Sequence, residues 1–273
     1  MKKIYFDVLT ISQENLDKVD MIQAMLANDC LGAFLHDESA ELYFNCGSKE
    51  KIEIKLDRLI NSQSKNWIWK KQKSENWHLA WQDHFKPIVI SKKLKIIPYW
   101  YENQSSGFVI KIKPGMAFGT GHHETTWLML NQMMKEIKEG MTVLDLGTGS
   151  GILAITAKKI GAKTVDAVDN DLECKSNFFE NMKLNKIITG VNFFHKDALI
   201  WDTLDYDLII ANINQKIIEQ LVPKFQSTNA RIILSGILAK NSSTIEKLLY
   251  EINFIISDYI IKGDWLCISA QKS

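Results

Sequence analysis

Asp145-Leu146-Gly147-Thr148-Gly149-Ser150-Gly151 stands directly behind a short apolar run, and a second apolar run ends in Asp169. Three alternating glycines at a strand end let a ligand lie against bare backbone, because no Cβ stands in the way. A helix starting there points its free N–H groups at the same spot. An acid at the end of the next parallel strand, about twenty residues on, accepts hydrogen bonds from both hydroxyls of a ribose. Residue types and spacing together describe a site for a nucleoside cofactor.

The same glycines admit two cofactors. Gly149-Ser150-Gly151-Ile152-Leu153-Ala154 fits the alanine-ended dinucleotide fingerprint, so a nicotinamide oxidoreductase is one reading. Asp145 argues against it, because a carboxylate two residues before Gly147 is badly placed beside a pyrophosphate. S-adenosylmethionine carries no phosphate, and its ammonium suits a nearby acid. Asp145 either serves that end or hydrogen-bonds the loop's own amides. Asp169 takes the ribose role, with helix capping assigned to Asn170 and Asp171. Asp197 is either the acceptor for an adenine amino group or an acid in a turn. Asn212 closes an apolar strand at the carboxyl edge, where ligands bind in such sheets, and offers both donor and acceptor.

These residues need elements to hold them. From Met141 onward strands and helices alternate. Strands are expected at 142–147, 164–169, 191–195, 206–211 and 231–235, with helices at 152–160, 172–184, 215–222 and 244–250. Two last strands, 254–261 and 265–270, are separated only by Lys262-Gly263-Asp264. They must form a hairpin, so an antiparallel pair closes an otherwise parallel sheet. Residues 3–73 read as βαββαβ, the ferredoxin-like order: a strand to Thr10, a helix from Ser12 as N-cap to Asn28, a hairpin around Asp37-Glu38-Ser39, a helix at 48–60 and a strand at 67–73. Residues 74–113 form a linking segment with strands at 86–90, 94–100 and 108–113. Its tryptophans, Trp77, Trp81 and Trp100, are read with Trp67 and Trp69 as packing between domains. The fold class is α/β with a smaller α+β domain in front.

Composition narrows the function. The 273 residues suit one large or two modest domains, and 46% apolar residues can build a full core. Thirty-three basic residues against 32 acidic ones leave a formal charge of +1, which gives no case for gripping a nucleic-acid backbone. An RNA-binding module, suggested by strand aromatics such as Tyr5, Phe6, Tyr43 and Phe44, lacks the basic patch it needs. Arg58 and Arg231 are the only arginines, so forked phosphate recognition is not expected. Cys30, Cys46, Cys174 and Cys267 are scattered and read as reduced thiols of a cytoplasmic protein. Residues 1–7 hold no sustained apolar run, so no signal peptide is expected, and no stretch is long enough to cross a bilayer. His123-Glu124 begins a zinc-type H-E-x-x-H pattern, but position 127 is Trp127 and no metal is expected.

Before the glycine loop lies Pro114-Gly115-Met116-Ala117-Phe118-Gly119-Thr120-Gly121-His122-His123-Glu124-Thr125-Thr126. Taken with Asp145 to Gly151, Asp169, Ala211-Asn212 and Leu234-Ser235-Gly236-Ile237-Leu238, it resembles the PrmA family, the bacterial methyltransferases of ribosomal protein L11. The resemblance implies a seven-stranded class I methyltransferase sheet over 114–273, behind an N-terminal domain, 1–73, that recognises the ribosomal protein. It implies S-adenosylmethionine as cofactor, with contacts at Thr126, Gly147, Asp169 and Asn212. Phe118, Gly149, Asp145 and Asp197 complete the candidate cofactor-binding set. The implied reaction is methylation of lysine side-chain and N-terminal amines; no catalytic base is named. His122, Glu124 and Asn214 depart from the family's usual residues. They flank the acceptor side, so the same chemistry on a different protein is the alternative. No planar-nitrogen motif follows Asn212, because Ile213 and Asn214 stand there.

Overall fold

A computed structural model describes residues 5–12, 22, 29–35, 39–57, 67–73, 86–102, 107–113 and 123–273. The chain divides into two compact units, Met1–Phe85 and Lys86–Ser273.

In the first unit, β1 (Tyr5–Ser12), β2 (Cys30–Leu35), β3 (Ser39–Asn45) and β4 (Trp67–Lys73) form one antiparallel sheet in the order β2-β3-β1-β4. Alternate residues of β1 and β3 (Leu9 and Ile11; Ala40, Leu42 and Phe44) make the core with Ile52 and Leu56 of helix α1 (Lys49–Asp57). Trp67 and Trp69 pack on this core, so their burial has a local cause. The carboxylate of Asp7 accepts the N–H of Gly47 at 2.7 Å and shapes the turn into α1. Ser12 is the last residue of β1, and the residues it was expected to cap lie outside the described ones. The helix expected from Ser12 to Asn28 lies outside the described residues except for Ile22, which is helical and fully buried. Trp77 and Trp81 also lie outside them.

The second unit opens with a three-stranded sheet. β5 (Ile88–Ser91) turns back on β6 (Leu94–Pro98), and β6 runs parallel to β7 (Phe108–Ile112). These strands were expected in the linking segment. Ile90, Leu94, Ile96, Ile110 and Ile112 are buried in the same core as helix α2 (Glu124–Glu136) and the main sheet.

That main sheet is built from β8 (Thr142–Leu146), β9 (Thr164–Asp169), β10 (Val191–His195), β11 (Leu208–Asn212), β12 (Arg231–Leu238), β13 (Phe254–Lys262) and β14 (Trp265–Lys272). The order is β10-β9-β8-β11-β12-β14-β13. Neighbours from β10 to β12 are parallel, and β14 is antiparallel to both β12 and β13. This is the seven-stranded arrangement with an antiparallel hairpin that the chain's last residues implied. Helices α3 (Ile152–Lys159), α4 (Leu172–Leu184), α5 (Gln215–Leu221) and α6 (Ser242–Glu251) connect the strands.

Central strands of a covered parallel sheet are buried on both faces and read as continuous apolar runs. β11 shows why: Leu208 and Ile210 join the core beneath α2 and α3, while Ile209 and Ala211 join the opposite core with α5 and α6. Several expected bounds move, most of them by a residue or two, and those of β11 and β12 bear on the site. β11 begins at Leu208 rather than Tyr206, and Asn212 belongs to it. β12 continues to Leu238, because Gly236 (φ +89°) sits where the register shifts against β14 and the strand resumes beyond it. None of the described helices is long and apolar enough to cross a membrane.

Candidate functional site

Strand register brings the candidate residues to one edge. His195 pairs with Asp169, Val168 with Leu146, Leu146 with Ala211, and Asn212 with Ser235. The carboxyl ends of β8, β9, β10 and β11 are therefore level, and Gly147, Asp169, Asp197 and Asn212 follow from or close those ends. The N-terminus of α2 reaches the same edge. Trp265 pairs with Leu238 at the end of β12, and the His123 ring stacks edge-on against Trp265 at 4.9 Å. Glu124 lies beside Lys262 of the neighbouring strand at 3.7 Å.

The glycine loop has its own geometry. Gly147, Gly149 and Gly151 all adopt positive φ, at +76°, +53° and +80°. The bareness expected to admit a ligand is used by the protein itself at two of them. A Cβ on Gly147 would stand 2.1 Å from Cγ2 of Ile213, and one on Gly151 would stand 2.6 Å from the Phe178 ring. The N–H groups of Gly147 and Thr148 both donate to the Val168 carbonyl, tying the loop to β9.

Asp169 locks the second glycine, Gly149. Its Oδ2 accepts the N–H of Gly149 at 2.8 Å, and its Oδ1 accepts the N–H of Asp171 at 2.9 Å. The turn into α4 was assigned to Asn170 and Asp171 from the sequence, and Asp169 shares that work. Each carboxylate oxygen can accept more than one bond, so outward lone pairs remain for hydroxyl donors.

Three other candidates carry a second signature. Among the described residues six buried side-chain polar atoms have no hydrogen-bond partner, and three of them are Oγ1 of Thr126, Oδ1 of Asp145 and Oδ1 of Asn212. Native interiors leave few such atoms, and each costs about 1–3 kcal/mol unless something fills it. The amide oxygen and an ionised carboxylate only accept, and the threonine hydroxyl and a protonated carboxyl do either. The set calls for a donor-rich group, such as an ammonium with hydroxyls, and a pyrophosphate offers only acceptors.

Asp145 is the most constrained of them. It is fully buried in β8, and its Oδ2 accepts the Thr148 hydroxyl at 2.6 Å. Burial pushes its carboxyl up to about 7; the Thr148 hydrogen bond and the nearby Ala154 N–H oppose the rise, and the charge of Asp169 adds to it. The folded chain thus holds a proton that the unfolded chain releases above about pH 4. Stability therefore falls as pH rises from about 4 to about 7 and levels off beyond. Asp145→Asn keeps an acceptor for Thr148 and removes the slope. Urea denaturation should show the variant gaining on the parent across that window, by up to about 4 kcal/mol; parallel pH profiles would refute it.

His123 starts α2. Its Nδ1 accepts the N–H of Thr125 at 3.3 Å and lies 2.8 Å from Thr125 Oγ1. A nitrogen accepting an N–H carries no proton, so the ring orders the start of α2. Thr126 sits one residue further, wholly buried. Asp197 caps the short 3-10 turn Ala198–Ile200 through the N–H of Leu199, which realises the turn-acid reading. Phe118, like the whole 114–122 segment, lies outside the described residues.

Sequence reasoning missed three participants. Thr148 bonds Asp145, Ile213 covers Gly147, and Asn181 holds the loop from behind by donating to the Ser150 carbonyl at 2.9 Å. Only the last had a signal: Asn177, Asn181 and Asn185 recur every four residues, on one face of α4 and its end.

The profile of the family described as ribosomal protein L11 methyltransferase (PrmA) matches residues 9–273. A ribosomal protein L11 methyltransferase of Prochlorococcus marinus (strain MIT 9301) is 36% identical over 249 residues, 87% of this chain and 80% of that protein. One from Lactobacillus johnsonii is 40% identical over 239 residues, 82% of this chain and 75% of that protein. The crystal structure of a ribosomal protein L11 methylase from Lactobacillus delbrueckii subsp. bulgaricus superposes with a TM-score of 0.64 at 34% identity. That match covers 69% of this chain and 100% of the other.

Proposed function

This chain belongs to the PrmA family of ribosomal protein L11 methyltransferases, and from that premise we propose that it methylates lysine side-chain and N-terminal amines of ribosomal protein L11 with S-adenosylmethionine. The observation that carries the reading is the trio of buried, unpartnered oxygens on Thr126, Asp145 and Asn212. S-adenosylmethionine supplies a methyl group on a positively charged sulfur, with an ammonium whose three donors suit those acceptors. Asp169 receives the ribose hydroxyls, and Asp197 the adenine amino group through the oxygen its cap leaves over. Gly147 and Gly149 supply the close-lying backbone, and Phe118 belongs to the same set.

The chain's own part in the reaction is alignment. Free lysine has a pKa near ~10.4, so presenting it neutral at pH 7 costs about 4–5 kcal/mol. Desolvation at the site and a nearby positive charge both oppose the ammonium and reduce that cost. Both described imidazoles at the edge are engaged: His123 Nδ1 by its helix, and His195 Nε2 by the Asn170 carbonyl at 3.0 Å. The amine's proton leaves to water before attack, and the site holds nitrogen, methyl and sulfur in line.

The first unit is the recognition domain, read as ferredoxin-like. Its antiparallel order β2-β3-β1-β4, with α1 between β3 and β4, supports that reading. The near-neutral charge favours a protein target over nucleic acid or membrane, and the ribosomal substrate implies the cytoplasm. Two of the departures that suggested another target have local uses. Glu124 pairs with Lys262, and Asn214 caps α5 through the N–H of Lys216. L11 is therefore favoured over another protein. Incubating the purified chain with methyl-labelled S-adenosylmethionine and recombinant L11 should label L11 on amines. Cofactor binding without transfer to L11 would sink the target; a thermal shift with NAD alone would sink the chemistry.

A further inference from the structure

The free edge of β7 is not open. Three asparagines from α4 and its end occupy it as a neighbouring strand would. Asn185 accepts the N–H of Lys111 at 2.9 Å and donates to its carbonyl at 2.7 Å. Asn181 accepts the N–H of Lys113 at 2.8 Å, and Asn177 donates to the Lys113 carbonyl at 3.0 Å. All three side chains are buried, Asn181 completely. Asn181 differs from the other two. Its amide also donates to the Ser150 carbonyl, between the second and third glycines of the cofactor loop. One side chain thus spans the loop and the last residue of the strand side that leads into Pro114–His122.

Resting on the S-adenosylmethionine reading above, we propose that Asn181 is a positioning residue: it fixes the glycine loop to Lys113 so that the loop is held in its binding shape before the cofactor arrives. The loop's front is fastened to β9 through Val168 and Asp169, and Asn181 fastens its back. With Asn181 removed, the Ser150 carbonyl loses a buried donor and the loop's tie to Lys113, and part of the cofactor's binding energy goes into restoring the loop's shape. Asn185 makes bonds of the same kind to the same strand, and its other bond goes to the Asn181 main-chain carbonyl at 2.8 Å rather than to the loop, so it serves as the control for loss of the strand contacts alone.

Asn181→Leu and Asn185→Leu are near-isosteric and should both lower the melting temperature. Only Asn181→Leu should weaken S-adenosylmethionine binding by isothermal titration, by about tenfold to hundredfold. It should raise KM for the cofactor, leaving kcat and KM for L11 close to the parent's. A purely structural asparagine would shift the melting temperature alone. If Asn181→Leu is not recovered folded, amide hydrogen exchange on the unaltered chain decides. Adding S-adenosylmethionine should slow the Lys113 amide and leave Lys111 unchanged. Parent-like affinity in Asn181→Leu, or a Lys113 amide indifferent to the cofactor, overturns the inference. Failure of the unaltered chain to bind S-adenosylmethionine removes the underlying reading instead.

Discussion

Asp169→Ala should weaken S-adenosylmethionine binding by about a hundredfold to ten-thousandfold, the largest loss of affinity expected from any single change in the site. The estimate comes from two ribose hydroxyls that lose a charged acceptor, each such bond being worth about 1.5–3 kcal/mol, with tenfold in affinity for every 1.4 kcal/mol. A second cost falls on the free protein. The N–H groups of Gly149 and Asp171 lose their acceptor, so the loop and the first turn of α4 loosen together. Isothermal titration and a melting curve without ligand separate the two. Asp169→Glu should not restore binding, because the longer stem displaces the carboxylate from both amides. A variant with near-normal affinity would remove Asp169 from the cofactor's contacts.

Gly147→Ala should be the most destabilising small substitution in the loop. The new methyl would stand 2.1 Å from Ile213 Cγ2, and the φ of +76° is one that alanine adopts only with strain. Overpacking costs about 1–3 kcal/mol and the left-handed backbone about 1–2 more. Adding Ile213→Ala should recover the steric part and leave the backbone part. The double variant would then be more stable than the sum of its singles predicts. Equilibrium unfolding of the four proteins measures this coupling, and strict additivity would mean the two residues do not meet.

Much of this architecture could be read in the chain. β9, β10 and α4 fall on their expected residues because each is a periodic or β-branched run cut off by glycine, aspartate or asparagine. The hairpin at Gly263 followed from a link too short for anything else. What could not be read is contact between residues far apart in sequence. Glycine spacing reveals that no Cβ fits, not what takes its place, so Ile213 over Gly147 and Phe178 over Gly151 were invisible. The β12 boundary failed for a related reason: Gly236 looks like a terminator, yet its missing Cβ makes room for the Ile213 carbonyl, which a methyl would meet at 2.0 Å. Asp145 was read as an acid serving either ligand or loop. Its complete burial decides its protonation, and burial is a property of the folded sheet.

The antiparallel strand β14 lies between β12 and β13 rather than at the rim. Synthesis runs in the other order: β13 is made first but has no place beside β12 until β14 has filled the gap. Until then β12 presents a raw hydrogen-bonding edge of Ile232, Ile233 and Leu234, which invites pairing with other nascent chains. Completion of the seven-stranded sheet therefore waits on β14, the one strand that can cover the β12 edge and seat β13.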